Sequence, residues 1–402
     1  MSSSETEVDF DAMTRDDIIR HYTLKGFTQK EIVSLLLSVH NVQVSVRTVK
    51  RTVKELELTK NKPTSRGTYT RAVQFAQQHL QGSAQCLGYR AFWKRLQQND
   101  IHISQKKTLE LLRLLDGKGV AERKRGAIRR RNYVNPGPNF AWHVDGYDKL
   151  KPYGFPIHGA IDGFSRRILW MEVGSTNNNP ILIAKYFVNT AITLSYLPCV
   201  IRTDRGTENV HIEKIQRHFR SEDDDYLSGD ASFQYGKSTG NQRIEAFWGQ
   251  LRRKCCQFWM NKFKDMATLG SFDMSSKVEM YTLRFCYIHL LRRDLKQTVT
   301  EWNEHNIQSK ANQESVNGKP DVLFFAPGHY GAAQYGKPFN SGNMHVVLDT
   351  LENLQDFDDC PHDYITLLNG MCGRVPVPVT MEEADSSFLR IVDRYRRICA
   401  TM

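Results

Sequence analysis

The chain has 402 residues, and this length exceeds what one hydrophobic core usually serves, so roughly two to four domains are expected. The formal net charge is +11. The basic balance favours a polyanionic partner, and nucleic acid is the natural candidate. The eight cysteines show no Cys-x-x-Cys pair and no zinc-module spacing, so free thiols in a reducing compartment are expected. No signal-peptide core and no apolar run of membrane length is recognised, so no membrane partner is expected.

A small helical domain is predicted within residues 1–61. Thr28-Gln-Lys-Glu31 reads as a capping box that starts one helix, and Ser45 can cap a second helix. One face of the second helix is basic and carries Arg47, Lys50, Arg51 and Lys54. The pattern resembles a helix-turn-helix whose second helix enters the major groove. The alternative is an ordinary solvated helix face.

A second helical domain is predicted over residues 68–122, after a Pro/Ser/Gly-rich linker. A Gly88-Tyr-Arg string, a short extended break and a helix over Gln105 to Leu115 resemble the second helix-turn-helix of bacterial insertion-sequence transposases. Lys106 and Lys107 on this helix are candidate DNA contacts.

Residues 123–138 read as a basic Pro/Gly-containing linker. Its basic residues are suited to tracking phosphates or to acting as a nuclear localisation signal, and they are Arg123, Lys124, Arg125, Arg129, Arg130 and Arg131. The alternative is a solvated linker with no partner.

Three carboxylates, far apart in sequence, organise residues 139–302. Asp145 closes a predicted strand, Asp204 closes a second short strand, and Glu245 lies where a Gly/Ser/Thr-rich loop gives way to a helix. Two carboxylates at the ends of neighbouring strands and a third on a helix can hold two Mg²⁺ ions about 4 Å apart. Without a cation they would repel one another. The alternative is three unrelated surface acids.

Four sequence strings surround these carboxylates and carry a family resemblance. They are Trp142-His-Val-Asp145, Ile161-Asp-Gly-Phe-Ser-Arg166, Thr203-Asp204-Arg-Gly-Thr-Glu-Asn209 and Gln242-Arg-Ile-Glu245. In this order they resemble the Asp, Asp, Glu catalytic core of the retroviral integrase and transposase superfamily. The sequence departs from the retroviral pattern in lacking an N-terminal zinc cluster and in having Gly249 where a basic residue is common.

The resemblance implies a multidomain protein with an α/β RNase H-like core, that is, a mixed five-stranded sheet flanked by helices. All-α helix-turn-helix domains would precede the core, and a mostly helical C-terminal region would cover residues 303–402. It further implies two Mg²⁺ or Mn²⁺ ions held by Asp145, Asp204 and Glu245. Double-stranded DNA, both element ends and target, would be the substrate, and the protein would self-associate as a homo-oligomer.

The expected function is that of a nuclear DNA integrase or transposase that cleaves DNA ends and transfers strands with Mg²⁺. Lys237, Arg252 and Arg253 are further candidate DNA contacts near the metals. One rival is a domesticated, non-catalytic, sequence-specific DNA-binding protein. A second rival is a nuclease that cuts RNA/DNA hybrids on the same fold.

Other acids near the three carboxylates are given structural roles. Asp162 fits a hairpin turn, Glu208 is not a ligand position in the family, and Asp148 would replace Asp145 only from beyond the Gly146 turn. The acidic run from Glu222 to Asp225 is expected to be a solvated loop. A C-terminal amphipathic stripe is either local core or an oligomer contact, and it comprises Phe388, Ile391, Val392, Tyr395 and Ile398.

Overall fold

The computed structural model describes residues 13–58, 66–80, 82, 84, 87–117, 135–236, 241–308, 316–354 and 359–401. The chain divides into two compact units. The first draws its described residues from Met1–Gln78, Gly88–Gly137 and Asn303–Ala333, and the second from His79–Leu87, Pro138–Trp302 and Gln334–Met402. No helix in the described ranges is long and apolar enough to cross a membrane.

The described helices are, in chain order, α1 (Arg15–Leu24), α2 (Gln29–Ser38), α3 (Val46–Glu55), α4 (Arg66–His79), α5 (Tyr89–Gln98), α6 (Gln105–Leu115), α7 (Pro180–Leu194), α8 (Val210–Phe219), α9 (Gln242–Leu251), α10 (Gln257–Thr268), α11 (Lys277–Glu304), α12 (Pro320–Phe325), α13 (Ser341–Leu354), α14 (His362–Cys372) and α15 (Met381–Thr401). The described strands are β1 (Ala141–Tyr147), β2 (Ile157–Asp162), β3 (Ile168–Val173), β4 (Val200–Thr203) and β5 (Phe233–Tyr235).

Side-chain caps start the helices of the first unit where the sequence predicts them. The Thr28 hydroxyl accepts a hydrogen bond from the Glu31 amide, and the Glu31 carboxylate accepts one from the Thr28 amide, which confirms the capping box. Ser45 caps α3 by accepting from the Thr48 amide. Capping of this kind satisfies amide groups that the first turn of a helix leaves without partners.

Residues 303–333 complete the core of this helical unit. Val322 of α12 is fully buried in the same apolar cluster as Ile32 and Val49 of the N-terminal helices. Lys319 donates to the Gly26 carbonyl at 2.7 Å and lies over the Phe27 ring. The apolar core of the N-terminal helices therefore includes side chains from more than 250 positions further along the chain.

The second unit contains a five-stranded sheet with the order β3-β2-β1-β4-β5. The β1–β2 and β2–β3 pairs are antiparallel, whereas β1–β4 and β4–β5 are parallel. Helices flank the sheet, so the mixed five-stranded RNase H-like fold expected from the resemblance is confirmed.

Both faces of the sheet are covered by helices. On one face, buried side chains of β1 and β4 pack against α7, α8 and α13; they include Trp142, Val144, Ile201, Phe187, Ile212 and Met344. On the other face, β2 and β3 pack against α9, α10, α11, α14 and α15; the buried residues include Ile157, Ile161, Phe247, Trp259, Tyr287 and Phe388. The alternation of side chains along β1 places His143, Asp145 and Tyr147 on the α9 side.

The two long helices near the end of the chain differ in how they are buried. A single helix, α11, runs from Lys277 to Glu304, and no proline or glycine interrupts it. Part of the amphipathic stripe on α15 is local core, since Phe388, Ile391 and Val392 are buried in one apolar cluster, whereas Tyr395 is half-buried and Ile398 is exposed.

The acidic loop before β5, predicted to be solvated, is only partly so: Glu222 and Asp224 are exposed, whereas Asp223 and Asp225 are half-buried. Arg220 at the end of α8 is completely buried and forms ion pairs with Asp223 and with Asp225, the latter at 2.6 Å. Lys337 also pairs with Asp225 at 2.6 Å. A buried guanidinium requires such compensation, so these carboxylates hold the loop to the sheet.

Candidate active site

Asp145 lies where β1 diverges from β4. The parallel pairing of these strands ends at His143 and Arg202. The strand does not end at Asp145 as predicted, because β1 remains paired with β2 through Asp145 opposite Gly159 and on to Tyr147. The gap beside β4 leaves the Asp145 carboxylate room for other groups.

Asp204 follows β4 directly, as the sequence predicts. The turn after it brings the carboxylate of Glu208 against Gly206, at the place where a Cβ would lie. Burial raises the pKa of Glu208, and the charges of Asp204 and Asp148 contribute to the same direction. Glu208 therefore adds negative potential beside Asp204.

Glu245 lies in the first turn of α9, and the fold brings it into electrostatic range of both aspartates. Burial raises the pKa of Asp145 to about 7, and the negative charges of Glu245 and Asp204 raise it too. Burial likewise raises the pKa of Glu245, with Asp204 adding to the effect. A cation would stabilise three carboxylates brought this close together.

The donor set fits a divalent cation in its chemistry. Carboxylate oxygens are the ligands that Mg²⁺ and Mn²⁺ prefer. In the part of the chain that the structure describes, no three His, Cys, Asp or Glu side chains are already grouped as a metal site.

Asp145 accepts a hydrogen bond from Trp248, whose indole Nε1 donates to Asp145 Oδ2 at 2.8 Å. The indole reaches this position because Gly159, the β2 partner of Asp145, has no side chain. A Cβ there would lie 3.1 Å from the Trp248 ring and 2.6 Å from the Met171 methyl group. Trp248 lies three residues after Glu245 on α9, and sequence reasoning did not single it out as a site residue.

His143 and Asn241 form a buried pair next to the carboxylates. Burial lowers the pKa of His143 to about 3, so the imidazole is neutral at physiological pH. Its Nδ1 lies 2.6 Å from Asn241 Oδ1. A buried, neutral and hydrogen-bonded imidazole is unsuited to the role of general base, and the sequence had given His143 no catalytic role.

The candidate DNA contacts lie in several places. On α3 and α6 the basic side chains are exposed, and they are Arg47, Lys50, Arg51, Lys54, Lys106 and Lys107. Arg252 and Arg253 are exposed in a π-helical turn, Arg252–Cys256, that follows α9, and Arg252 donates to Gln257. The remaining candidates, Arg123, Lys124, Arg125, Arg129, Arg130, Arg131 and Lys237, lie outside the described residues.

The acids given structural roles also have defined positions. Asp162 is completely buried and accepts hydrogen bonds from the amides of Asn139 and Ser165 at 2.8 and 2.7 Å, so it stabilises the hairpin between β2 and β3. Asp148 is exposed and accepts from Asn177 at 2.8 Å. Asp162 is committed to the hairpin, whereas Asp148 lies outside the group formed by Asp145, Asp204 and Glu245.

Residues 132–322 match the family model described as integrase core domain. A search of curated proteins found no match. The matched region contains the whole sheet and all three carboxylates, and integrase core domains generally use divalent metal ions. The match therefore supports an integrase core domain of the integrase/transposase superfamily in residues 132–322.

Proposed function

We propose that the protein is a Mg²⁺-dependent DNA strand transferase that cleaves the ends of a DNA element and joins them to target DNA. The observation that carries this proposal is that an RNase H-like sheet brings Asp145, Asp204 and Glu245 into electrostatic range: beyond the effect of burial, the charges of Glu245 and Asp204 raise the pKa of Asp145, and the charge of Asp204 raises the pKa of Glu245. These residues would hold two Mg²⁺ or Mn²⁺ ions. When bound, such ions activate water or a DNA 3′-hydroxyl and stabilise the leaving oxygen.

Two side chains next to the carboxylates, Trp248 and His143, have defined roles in this proposal. Trp248 directs one oxygen of Asp145 through its indole N–H, which leaves the other oxygen for a cation. His143 is neutral and buried, so it takes no proton from the attacking group. The proposed mechanism therefore needs no covalent protein intermediate and no general-base histidine.

Double-stranded DNA is the proposed substrate, and α3 is the proposed recognition helix. Val49 and Val53 of this helix are buried, while the opposite face presents its four basic side chains to solvent. An exposed basic face backed by a packed core is what phosphate contacts in the major groove require. Action on two DNA ends in the nucleus, by a homo-oligomer, belongs to the same proposal.

A strand-transfer assay with the full chain tests the proposal. Labelled duplexes that carry the DNA sequences flanking the gene on either side are mixed with supercoiled plasmid and Mg²⁺. We expect cleaved ends and plasmid-joined products, both abolished by EDTA. Binding without cleavage would favour the domesticated DNA-binding protein, and cleavage of RNA/DNA hybrids alone would favour the nuclease; either result overturns the proposal.

Replacing Lys50 and Arg51 by alanine should weaken DNA binding. For each phosphate that the variant no longer neutralises, the slope of log K against log salt should fall by about 0.9. The measurement is a salt titration of binding by fluorescence anisotropy. Arg51 lies 3.7 Å from Glu55 in an exposed ion pair, which is worth little in stability, so the variant should fold normally.

The matched control for this double variant removes two exposed basic residues elsewhere, Lys264 of α10 and Arg394 of α15. It lowers the net charge by the same amount, so it measures the effect of overall charge alone. Equal salt slopes for the two double variants would show that α3 does not bind phosphates.

A further inference from the structure

Asn241 precedes α9 by one position, where a short polar side chain usually caps its own helix. Its side chain makes no hydrogen bond to the helix. Asn241 Nδ2 instead donates to the Val144 carbonyl on β1 at 2.9 Å, and Oδ1 lies 2.6 Å from His143 Nδ1. Both residues are buried, with 2% of Asn241 and 0% of His143 exposed.

The chemistry of these contacts fixes the proton on the imidazole. A carbonyl oxygen only accepts, so the amide nitrogen of Asn241 must face Val144. Its oxygen then faces His143, which must donate. His143 therefore carries its proton on Nδ1, and the two hydrogen bonds satisfy the asparagine side chain on both sides.

The residues of the pair, and the β4 residue opposite His143, lie a few positions before the three carboxylates in the sequence. His143 is two residues before Asp145, and its β4 partner, Arg202, is two residues before Asp204. Asn241 is one helical turn before Glu245, whose amide donates to the Asn241 carbonyl at 3.2 Å. The contact between His143 and Asn241 thus joins β1 to the start of α9, close to Asp145 and Glu245, at the residue of β1 that pairs with β4.

We propose that His143 and Asn241 are a positioning pair that sets the separation between the carboxylates of Asp145 and Glu245. The inference rests on the proposed function, in which that separation determines whether both residues bind the same ions. Neither side chain touches the substrate. They act by fixing the start of α9 to β1, and such positioning matters because a displacement of about 1 Å can cost about 100-fold in rate.

Two variants of His143 separate hydrogen bonding from packing. The amide nitrogen of asparagine can occupy the place of histidine Nδ1, so His143→Asn keeps a donor for Asn241, whereas His143→Leu fills the space without one. We expect His143→Leu to lower kcat for metal-dependent cleavage about 100-fold with KM for DNA unchanged. His143→Asn should stay close to wild type. Equal rates for the two variants would overturn the proposal.

A spectroscopic measurement on the full chain keeps this inference separate from the proposed function. Long-range ¹⁵N–¹H spectra report which ring nitrogen carries the proton, and the His143 signals are identified by their loss in His143→Asn. We expect an Nδ1–H tautomer that changes in Asn241→Leu. An Nε2–H tautomer in the wild type would contradict the proposed hydrogen bond from His143 to Asn241, even if cleavage is observed. If the tautomer is as expected but no DNA is cleaved, the proposed function fails and the pairing itself stands.

Discussion

Replacing Asp204 by asparagine is expected to reduce metal-dependent DNA cleavage on the order of 10³-fold, with DNA affinity close to wild type. Asn removes the negative charge that attracts a cation but conserves the shape of the side chain. The same result is expected for Asp145→Asn and Glu245→Gln. The measurement pairs a single-turnover cleavage assay with anisotropy-based DNA binding.

The matched control for these variants is Asp148→Asn, the same chemical change three residues after Asp145. Asp148 is exposed and pairs with Lys151, so cleavage should stay near the wild-type rate. Wild-type cleavage by Asp204→Asn would remove it from the ligand set. Loss of cleavage in Asp148→Asn, with Asp145→Asn active, would transfer the ligand role from Asp145 to Asp148.

Metal affinity should depend steeply on pH, because Asp145 has a pKa of about 7 before any cation binds. A cation binds the ionised carboxylate and must displace the proton below this pH. Affinity for Mg²⁺ or Mn²⁺ is therefore expected to fall about tenfold for each pH unit below 7. Isothermal titration between pH 5.5 and 8, in buffers of different ionisation enthalpy, measures both the affinity and the proton released.

The stability of the metal-free protein should show the opposite trend with pH. The pKa of Asp145 is raised from 3.8 to about 7 on folding, so the folded state holds its proton more tightly than the unfolded chain. The stabilisation is complete below pH 3.8 and is lost as pH rises to 7. In Asp145→Asn the part of the pH dependence of the melting temperature that comes from this carboxyl group should vanish. A pH-independent difference between the two proteins would contradict the raised pKa.

Much of the fold could be predicted from local patterns in the sequence. The strand leading to Asp204, the capped start of α2, and Asn179 with Pro180 at the start of α7 are short-range signals, and the structure agrees with each of them. The order of the three carboxylates predicted which strands and which helix would meet. The strand and the helix starts depend on residues a few positions apart, which is what sequence patterns record, whereas the meeting of the carboxylates was implied by the family resemblance.

The contacts that shape the candidate site could not be predicted in the same way. Trp248 and Asp145 are 103 positions apart, and Asn241 and His143 are 98 apart. Nothing in the helical pattern around Trp248 distinguishes an indole that packs in the core from one that also donates to a carboxylate. The space that the indole occupies lies against Gly159, where a Cβ would crowd the ring. This contact can be recognised only once β2 is paired with β1.

The helices α13 and α15 contribute side chains to the apolar clusters on the two faces of the sheet, and this has a consequence for synthesis on the ribosome. Met344 of α13 is buried in the apolar cluster on one face of the sheet, and Phe388 and Ile391 of α15 are buried in the cluster on the other face. The described strands have all been translated by Tyr235, so a nascent chain carries these strands with both clusters incomplete for more than a hundred further residues. Long-range closure of this kind slows folding and exposes apolar surface. Chaperone binding during translation is thus expected to end only after the last helix emerges.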